Sequence, residues 1–411
     1  MKCDQTIQRT AVKGGFFGLV HELRTRTGLL TLVATLGMNV ACGGSIDAGG
    51  EDPLGDTSEA LKYPGDPFGP LPFKYWRQLN PLPNATGNPG LVSHYAHFFV
   101  AFSQVTNGRY WGSAVGNKIG DWAEYSTRTF ASGPAVVALP NFGNGDGHLM
   151  VIGRGSGTAD SSRRIFWSEA YQPREFEGFP ASAPIAITSF AAVSGEFFSG
   201  VYGYPGATST DAGEVVIAYV GPIGGGGVRV FAQYKGVNVP WSARVQGPAL
   251  PVGWTPAGIP AVERGPFSIA TIMVLGRNSS NQYQIFRCYF WANQTSGTFF
   301  DPFGPTEFDA LPLPPNSPAI ESSPGLEWDD QLNTHTVYYR SGNSIYQASI
   351  NYDLWEEMPK KVEAAPNPSF ASAPSANGNY PYEGGSHLVL ARDSANAIWF
   401  AESFQNADLV P

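Results

Sequence analysis

His387-Leu388-Val389-Leu390-Ala391-Arg392, then Asp393-Ser394-Ala395-Asn396, then Ala397-Ile398-Trp399-Phe400-Ala401: this stretch decides the fold. An apolar run, a turn of small polar residues and a second apolar-aromatic run make a β-hairpin. The unit recurs. Arg340 to Tyr346 and Arg277 to Phe286 repeat the arginine, the polar turn and the aliphatic-aromatic pair. Arg154-Gly155 followed by Ile165-Phe166-Trp167 is the same unit with a longer turn, Val228 to Phe231 keeps its second strand, and Arg109-Tyr110-Trp111 is its most divergent copy. The aromatic anchors fall at 111, 166, 231, 286, 346 and 399, in steps of 53 to 65 residues. One hairpin-bearing unit per step of this size is the pattern of a radial or linear repeat.

Composition agrees. Only 14% of the 411 residues are charged, while 49 Gly and 34 Pro are spread along the whole chain, as many short strands and turns require. Each unit resolves into four strands. The first opens on proline: Gly133-Pro134-Ala135-Val136-Val137, Ala183-Pro184-Ile185-Ala186-Ile187, Ile259-Pro260-Ala261-Val262-Glu263, Ser317-Pro318-Ala319-Ile320-Glu321, Ala373-Pro374-Ser375-Ala376 and, more loosely, Pro89 to Val92. A proline in first position removes no ladder hydrogen bond. The hairpin supplies the second and third strands. The fourth carries Trp122, Trp241 or Trp355, with Phe176 and Phe299 in two other units.

The last unit ends without a fourth strand, and Phe73-Lys74-Tyr75-Trp76-Arg77-Gln78-Leu79 supplies one from the other end. The expectation is an all-β, six-bladed propeller over 71–411, in preference to seven blades, closed by an N-terminal strand joining the last blade. Residues 191–213 read as an insert in the third unit, with Phe197, Phe198, Tyr202 and Tyr204, either a binding loop or drift.

Upstream, Arg24 and Arg26 precede an apolar run from Gly28 to Ala41 that is too short for a stable membrane span. It ends in Val40-Ala41-Cys42-Gly43, which resembles the lipobox of bacterial lipoproteins, although Asn39 stands where that motif carries Leu. The resemblance implies a signal peptide over 1–41, lipidation of Cys42, a solvated tether over 42–70, and an exported protein held to a membrane by a lipid anchor or, with ordinary cleavage, secreted. The whole chain has a formal charge of −9; cleavage at Cys42 would leave 20 basic against 32 acidic residues, or −12. That balance argues against a nucleic-acid partner. Cys288 would be the one remaining thiol, so packing alone must hold the fold.

The repeat of Pro-Ala-aliphatic, an arginine before a polar turn, an aliphatic-aromatic pair and a Trp resembles the propeller repeats of fucose-binding lectins, both bacterial ones of the PLL type and fungal ones. The resemblance implies lectin-like carbohydrate binding between neighbouring blades, without catalysis and without a cofactor. Arg154, Arg277, Arg340 and Arg392, with Trp76, Trp122, Trp241 and Trp355, are the implied sugar contacts; units one and three have Ser103 and Val220 near the arginine position. The bland alternative is that these arginines bind turn carbonyls and the tryptophans fill the core.

For chemistry the strongest candidates are Glu263 and Glu321, assigned to the same first-strand position in adjacent units. Two carboxylates facing a channel suit a glycoside hydrolase or a polysaccharide lyase. His97, His148, His335 and His387 begin second strands and would be spread round a ring, so no metal site is expected. Hairpin pairing brings His148 towards Glu169 and His387 towards Glu402. A protein-interaction scaffold is the third class.

Overall fold

The computed structural model describes residues 73–404 except 96–97, 116–120, 140–146, 173–188, 194–196, 201, 211–212, 237–238, 266–268, 293–296, 301–307, 330–333, 352–353, 356–357, 363–365 and 379–385. The signal and tether expected over 1–70, with Cys42, lie outside the described residues, as do His97, Phe176 and Ala183–Ile187.

Six antiparallel blades form the propeller, each built on four strands, and in blades 4 and 5 a short fifth strand, Asp309–Leu311 or Lys360–Lys361, also pairs with the third. In blade 1 these are Ala85–Tyr95, Phe98–Val105, Tyr110–Val115 and Ala123–Glu124; in blade 2, Ala135–Leu139, Gly147–Arg154, Ile165–Gln172 and Ala191–Ala192. Blade 3 uses Pro205–Ser209, Val215–Pro222, Val228–Lys235 and Val245–Gln246. Blade 4 uses Trp254–Arg264, Ala270–Asn278, Tyr283–Ala292 and Gly297–Phe300. Blade 5 uses Gly325–Asp329, Thr334–Ser341, Ser344–Asn351 and Leu354–Trp355. Blade 6 takes Ser375–Gly378, Ser386–Arg392 and Ile398–Phe404 from the C-terminal end, and its outer strand is Phe73–Gln78. The ring therefore closes as expected, with Trp76 opposite Ala401 and Gln78 opposite Trp399.

Side chains alternate across each strand, so successive residues face different neighbouring blades. Val151 packs towards blade 1 with Phe102 and Tyr110, while Ile152 packs towards blade 3 with Ile217 and Tyr219. Six buried clusters result, one at each blade boundary, including Leu388, Leu390 and Phe400 against Leu91 and Ala101 where blade 6 meets blade 1. The hairpin of Ser386–Arg392 and Ile398–Phe404 is tied by Asp393. Its carboxylate accepts the Ala395 and Ala397 N–H groups and the Trp399 indole, each at 2.8 Å, with Asn396 at φ 69°. Asparagine tolerates that left-handed conformation because its short polar side chain bonds locally.

Two first-strand assignments differ from expectation. Blade 3 begins at Pro205, inside the stretch read as an insert, and 191–192 is the outer strand of blade 2. Blade 5 begins at Gly325 after Pro324, not after Pro318.

Candidate functional site

The six innermost strands surround a cavity of about 120 Å³. Its wall repeats one motif: Pro89-Gly90-Leu91, Pro134-Ala135-Val136, Pro205-Gly206-Ala207, Pro260-Ala261-Val262, Pro324-Gly325-Leu326 and Pro374-Ser375-Ala376. Glycine follows proline in blades 1, 3 and 5, and alanine or serine in blades 2, 4 and 6. The reason is steric. A Cβ at Gly90, Gly206 or Gly325 would stand 2.5, 2.0 or 2.9 Å from the carbonyl oxygen of Pro134, Pro260 or Pro374 in the next blade. In blades 2, 3, 5 and 6 the proline opens or immediately precedes the strand; in blades 1 and 4 the strand continues outward and the proline sits at a register shift.

This frame puts Glu263 and Glu327, each three residues after its proline, at equivalent places in adjacent blades. The expected partner, Glu321, is elsewhere: it is exposed in the segment before blade 5, where its Oε2 accepts the Gly342 N–H at 3.0 Å and faces Arg340 Nη1 at 3.4 Å. Glu263 lines the cavity, and its Oε1 accepts the Arg264 N–H at 2.9 Å and the Thr208 hydroxyl at 3.2 Å. Burial pushes its pKa up to about 7, and the Glu327 charge acts in the same direction against those hydrogen bonds and the Arg264 charge. Glu327 is wholly buried; it accepts the Tyr338 hydroxyl at 3.1 Å and pairs with His387 Nδ1 of blade 6.

His387 therefore finds its carboxylate across a blade boundary. Within its own blade it stands opposite Ser403, and Glu402 stands opposite Leu388. In blade 2, Glu169 is opposite Met150 and His148 opposite Tyr171. His335 is buried against Trp328 with Nε2 at 3.3 Å from the Arg264 carbonyl. Burial, then the nearby Arg287 charge, pull its pKa down to about 3, so the ring is neutral and its N–H is directed at that carbonyl.

The arginines form a second constellation. The residues after Pro134, Pro324 and Pro374 stand opposite Ile152, Tyr338 and Leu390, and two residues beyond these come Arg154, Arg340 and Arg392. All three lie at the strand end where the first strand of their own blade begins. Each donates its backbone N–H to a serine two residues before the blade's proline, Ser132, Ser322 or Ser372, at 2.8 to 3.0 Å. The same position holds Gln104 in blade 1, Val220 in blade 3 and Leu275 in blade 4. Arg277 is two residues too far along and exposed, so it does not share the register of the others.

Arg154 Nη1 donates to the Gly200 carbonyl, and its guanidinium carbon lies 5.3 Å from the Tyr204 ring centre. Arg392 Nε donates to the Gly87 carbonyl of blade 1 at 3.0 Å and Nη1 to Asn396 at 2.6 Å. Arg340 is held by Glu321 and the Gly342 carbonyl. The carbonyl bonds of the bland alternative are thus present at each.

The tryptophans divide differently. Trp76 is 3% exposed and packs on Phe370 at 4.5 Å, so it is core and cannot stack on a sugar. Trp122 is half-buried, with its indole N–H on the Asn80 carbonyl at 2.7 Å. Trp241 is half-buried, edge-on to Trp167 at 6.3 Å, and Trp355 pairs with Ile350 in the outer strand of blade 5. Sequence reading missed Glu327, Thr208 and Tyr338, whereas Tyr204 lies in the 191–213 stretch that it singled out. Glu327 had a signal, since Ser323-Pro324-Gly325-Leu326-Glu327 repeats the pattern of Ser317-Pro318-Ala319-Ile320-Glu321 six residues on.

No protein-family model and no curated protein sequence matches this chain. Solved structures do match in fold. An α-L-arabinofuranosidase of Fusarium graminearum in complex with an iminosugar inhibitor superposes with a TM-score of 0.53 at 13% identity, covering 81% of this chain and 98% of that one. An α-L-arabinanase of Penicillium chrysogenum complexed with arabinobiose gives 0.50 at 13%, covering 82% and 99%. The six-bladed fungal lectin of Aleuria aurantia is more distant, at 0.46 and 12%, covering 81% and 93%. Identities this low speak to the fold alone.

Proposed function

We propose that this propeller binds carbohydrate without altering it, at the blade boundaries of the rim that carries Arg154 and Arg392. The observation that supports this most is the Arg154 position, where a guanidinium lies beside the Tyr204 ring at the junction with blade 3. A sugar presents an apolar C–H face to an aromatic ring and hydroxyls to fixed donors, which is the pairing this position offers. The structural relatives include both sugar-cleaving enzymes and a lectin, so carbohydrate is the shared theme and catalysis is the open choice. Against hydrolysis stands the state of the carboxyls. Glu327 is sealed by Tyr338 and His387, and one oxygen of Glu263 is already occupied by the Arg264 N–H and Thr208. Cleavage by paired carboxyls needs both to reach the substrate.

The test is a glycan array on the purified chain. Binding that is lost in Arg154→Ala or Arg392→Ala supports the proposal, and binding to no glycan sinks it in favour of a protein-interaction scaffold. A hydrolase keeps one argument, since Glu263 lines the cavity with a pKa in the range of a general acid. Release of reducing ends, abolished by Glu263→Gln, would establish it. We further propose that the chain works outside the cell, tethered through Cys42; fatty-acid labelling that persists in Cys42→Ser would remove the tether.

A further inference from the structure

The three rim arginines differ in the charge that surrounds them. Arg340 has the Glu321 carboxylate, and Arg392 has Asp393 beside it. Arg154 has no described carboxylate partner. After burial and Tyr204, the neighbour that acts on it is another cation, Arg163. Arg163 closes the long turn of blade 2, and its carbonyl accepts the Phe198 N–H at 3.0 Å. That bond docks the segment bearing Gly200 and Tyr204 onto the same turn. Asp160, the carboxylate described beside Arg163, is taken up by Arg163 Nη2 at 2.5 Å and is itself largely exposed. Arg163 is thus paired only with a solvated carboxylate and Arg154 with none described, on a chain whose overall charge is −9.

Their hydrogen bonding is incomplete in the same place. Among the described residues, the Nε–H groups of Arg154 and Arg163, like those of Arg164 and Arg340, are buried with no acceptor, and Arg154 is only 5% exposed, so what sets this place apart is its unbalanced charge. A buried charged donor without an acceptor is costly, and an anionic oxygen is the partner that would relieve it most. Tyr204 is half-buried beside the guanidinium, and the Phe197 ring on the docked segment is 54% exposed. An aromatic surface next to a guanidinium pair fits a sugar that carries a negative group, better than it fits a neutral one or a bare anion.

We infer that the boundary of blades 2 and 3 takes an anionic saccharide, its carboxylate or sulfate held by Arg163 and Arg154. The inference rests on the carbohydrate-binding reading above and names the ligand class for one of its positions. It is tested on the full chain with an array carrying neutral, uronate-bearing and sulfated glycans, repeated with Arg163→Gln. The Arg163 side chain is 30% exposed, so its loss should perturb the fold less than that of Arg154, and each variant is read only if its melting curve matches the parent. The expected result is that the anionic glycans bind about tenfold more tightly than their neutral counterparts and lose that margin in Arg163→Gln. Raised ionic strength should weaken the anionic arm alone. Whether uronates or sulfates carry the margin identifies the group. Neutral glycans bound equally well, with Arg163→Gln silent, would overturn this inference and leave the lectin reading standing; no glycan bound at all would overturn both.

Discussion

Glu321 and Glu327 sit in almost the same pentapeptide, six residues apart, and the structure gives them opposite physical states. Replacing each with glutamine, which keeps the shape and removes the charge, turns that contrast into a measurement. Glu327 is wholly buried between the Tyr338 hydroxyl at 3.1 Å and His387 Nδ1. In Glu327→Gln one carboxylate oxygen becomes an NH₂ donor facing another donor, and the buried His387 loses its anion. Charged hydrogen bonds contribute about 1.5–3 kcal/mol, and removing one member of a buried pair costs about 3–5 kcal/mol, so about 3 kcal/mol is expected. Glu321 has a side chain 46% exposed, with Arg340 at 3.4 Å and the Gly342 N–H at 3.0 Å. An exposed pair of that kind is worth at most about 1 kcal/mol. Urea unfolding followed by tryptophan fluorescence and far-ultraviolet circular dichroism, with coincident transitions, reads both differences. Equal losses, or a larger one for Glu321→Gln, would refute the placement of Glu327 as the first-strand residue of blade 5.

Glu263 titrates near 7 when folded against an ordinary 4.5, so between those values the native state keeps a proton that the unfolded chain has released, and stability should fall as pH rises. The term is up to about 3 kcal/mol before discounting for partial exposure, and Glu263→Gln should remove that slope in a difference curve of stability against pH. His335 acts the other way: its pKa drops from 6.5 to about 3, so stability should rise from pH 3 to 6.5, a rise that His335→Gln abolishes. Trp76→Ala should cost about 4 kcal/mol and deletion of 71–79 should lower the melting temperature sharply, because both open the closing strand; an unchanged melt would contradict the closure. Gly206→Ala places a Cβ 2.0 Å from the Pro260 carbonyl and should cost about 3 kcal/mol, whereas Gly224→Ala meets nothing within 4 Å and should stay within about 0.5 kcal/mol by the same unfolding assay.

The hairpins were legible because their signal is local. Asp393, Asn396 and Trp399 are within seven residues of one another, and the turn chemistry that joins them is written in that order along the chain. The closing strand was legible for a different reason: a blade lacking its outer strand at one end of the chain and a spare Trp-bearing strand at the other have one economical solution. First strands were harder. Ser-Pro-aliphatic patterns occur twice before blade 5 and an Ala-Pro pattern precedes the true start of blade 3, and nothing within five residues separates the real copy from the decoy.

What separates them lies in the adjacent blade. Gly325, not Ala319, follows the channel proline of blade 5 because the Pro374 carbonyl of blade 6 leaves no room for a methyl group. The same holds for Gly90 against Pro134 and for Gly206 against Pro260. A comparison of units aligned one above another averages this alternation away, since it treats every blade as meeting an identical neighbour. The candidate sites are hidden in the same manner. Hairpin pairing points His387 to its own blade, yet its carboxylate is Glu327 of blade 5; the repeat sets Arg154 beside three other arginines, yet its distinguishing contacts, Gly200, Tyr204 and the cation at Arg163, belong to its own long turn and to the segment leading into blade 3. In a ring of similar blades the repeat specifies the frame, and chemistry is decided where two unequal blades meet.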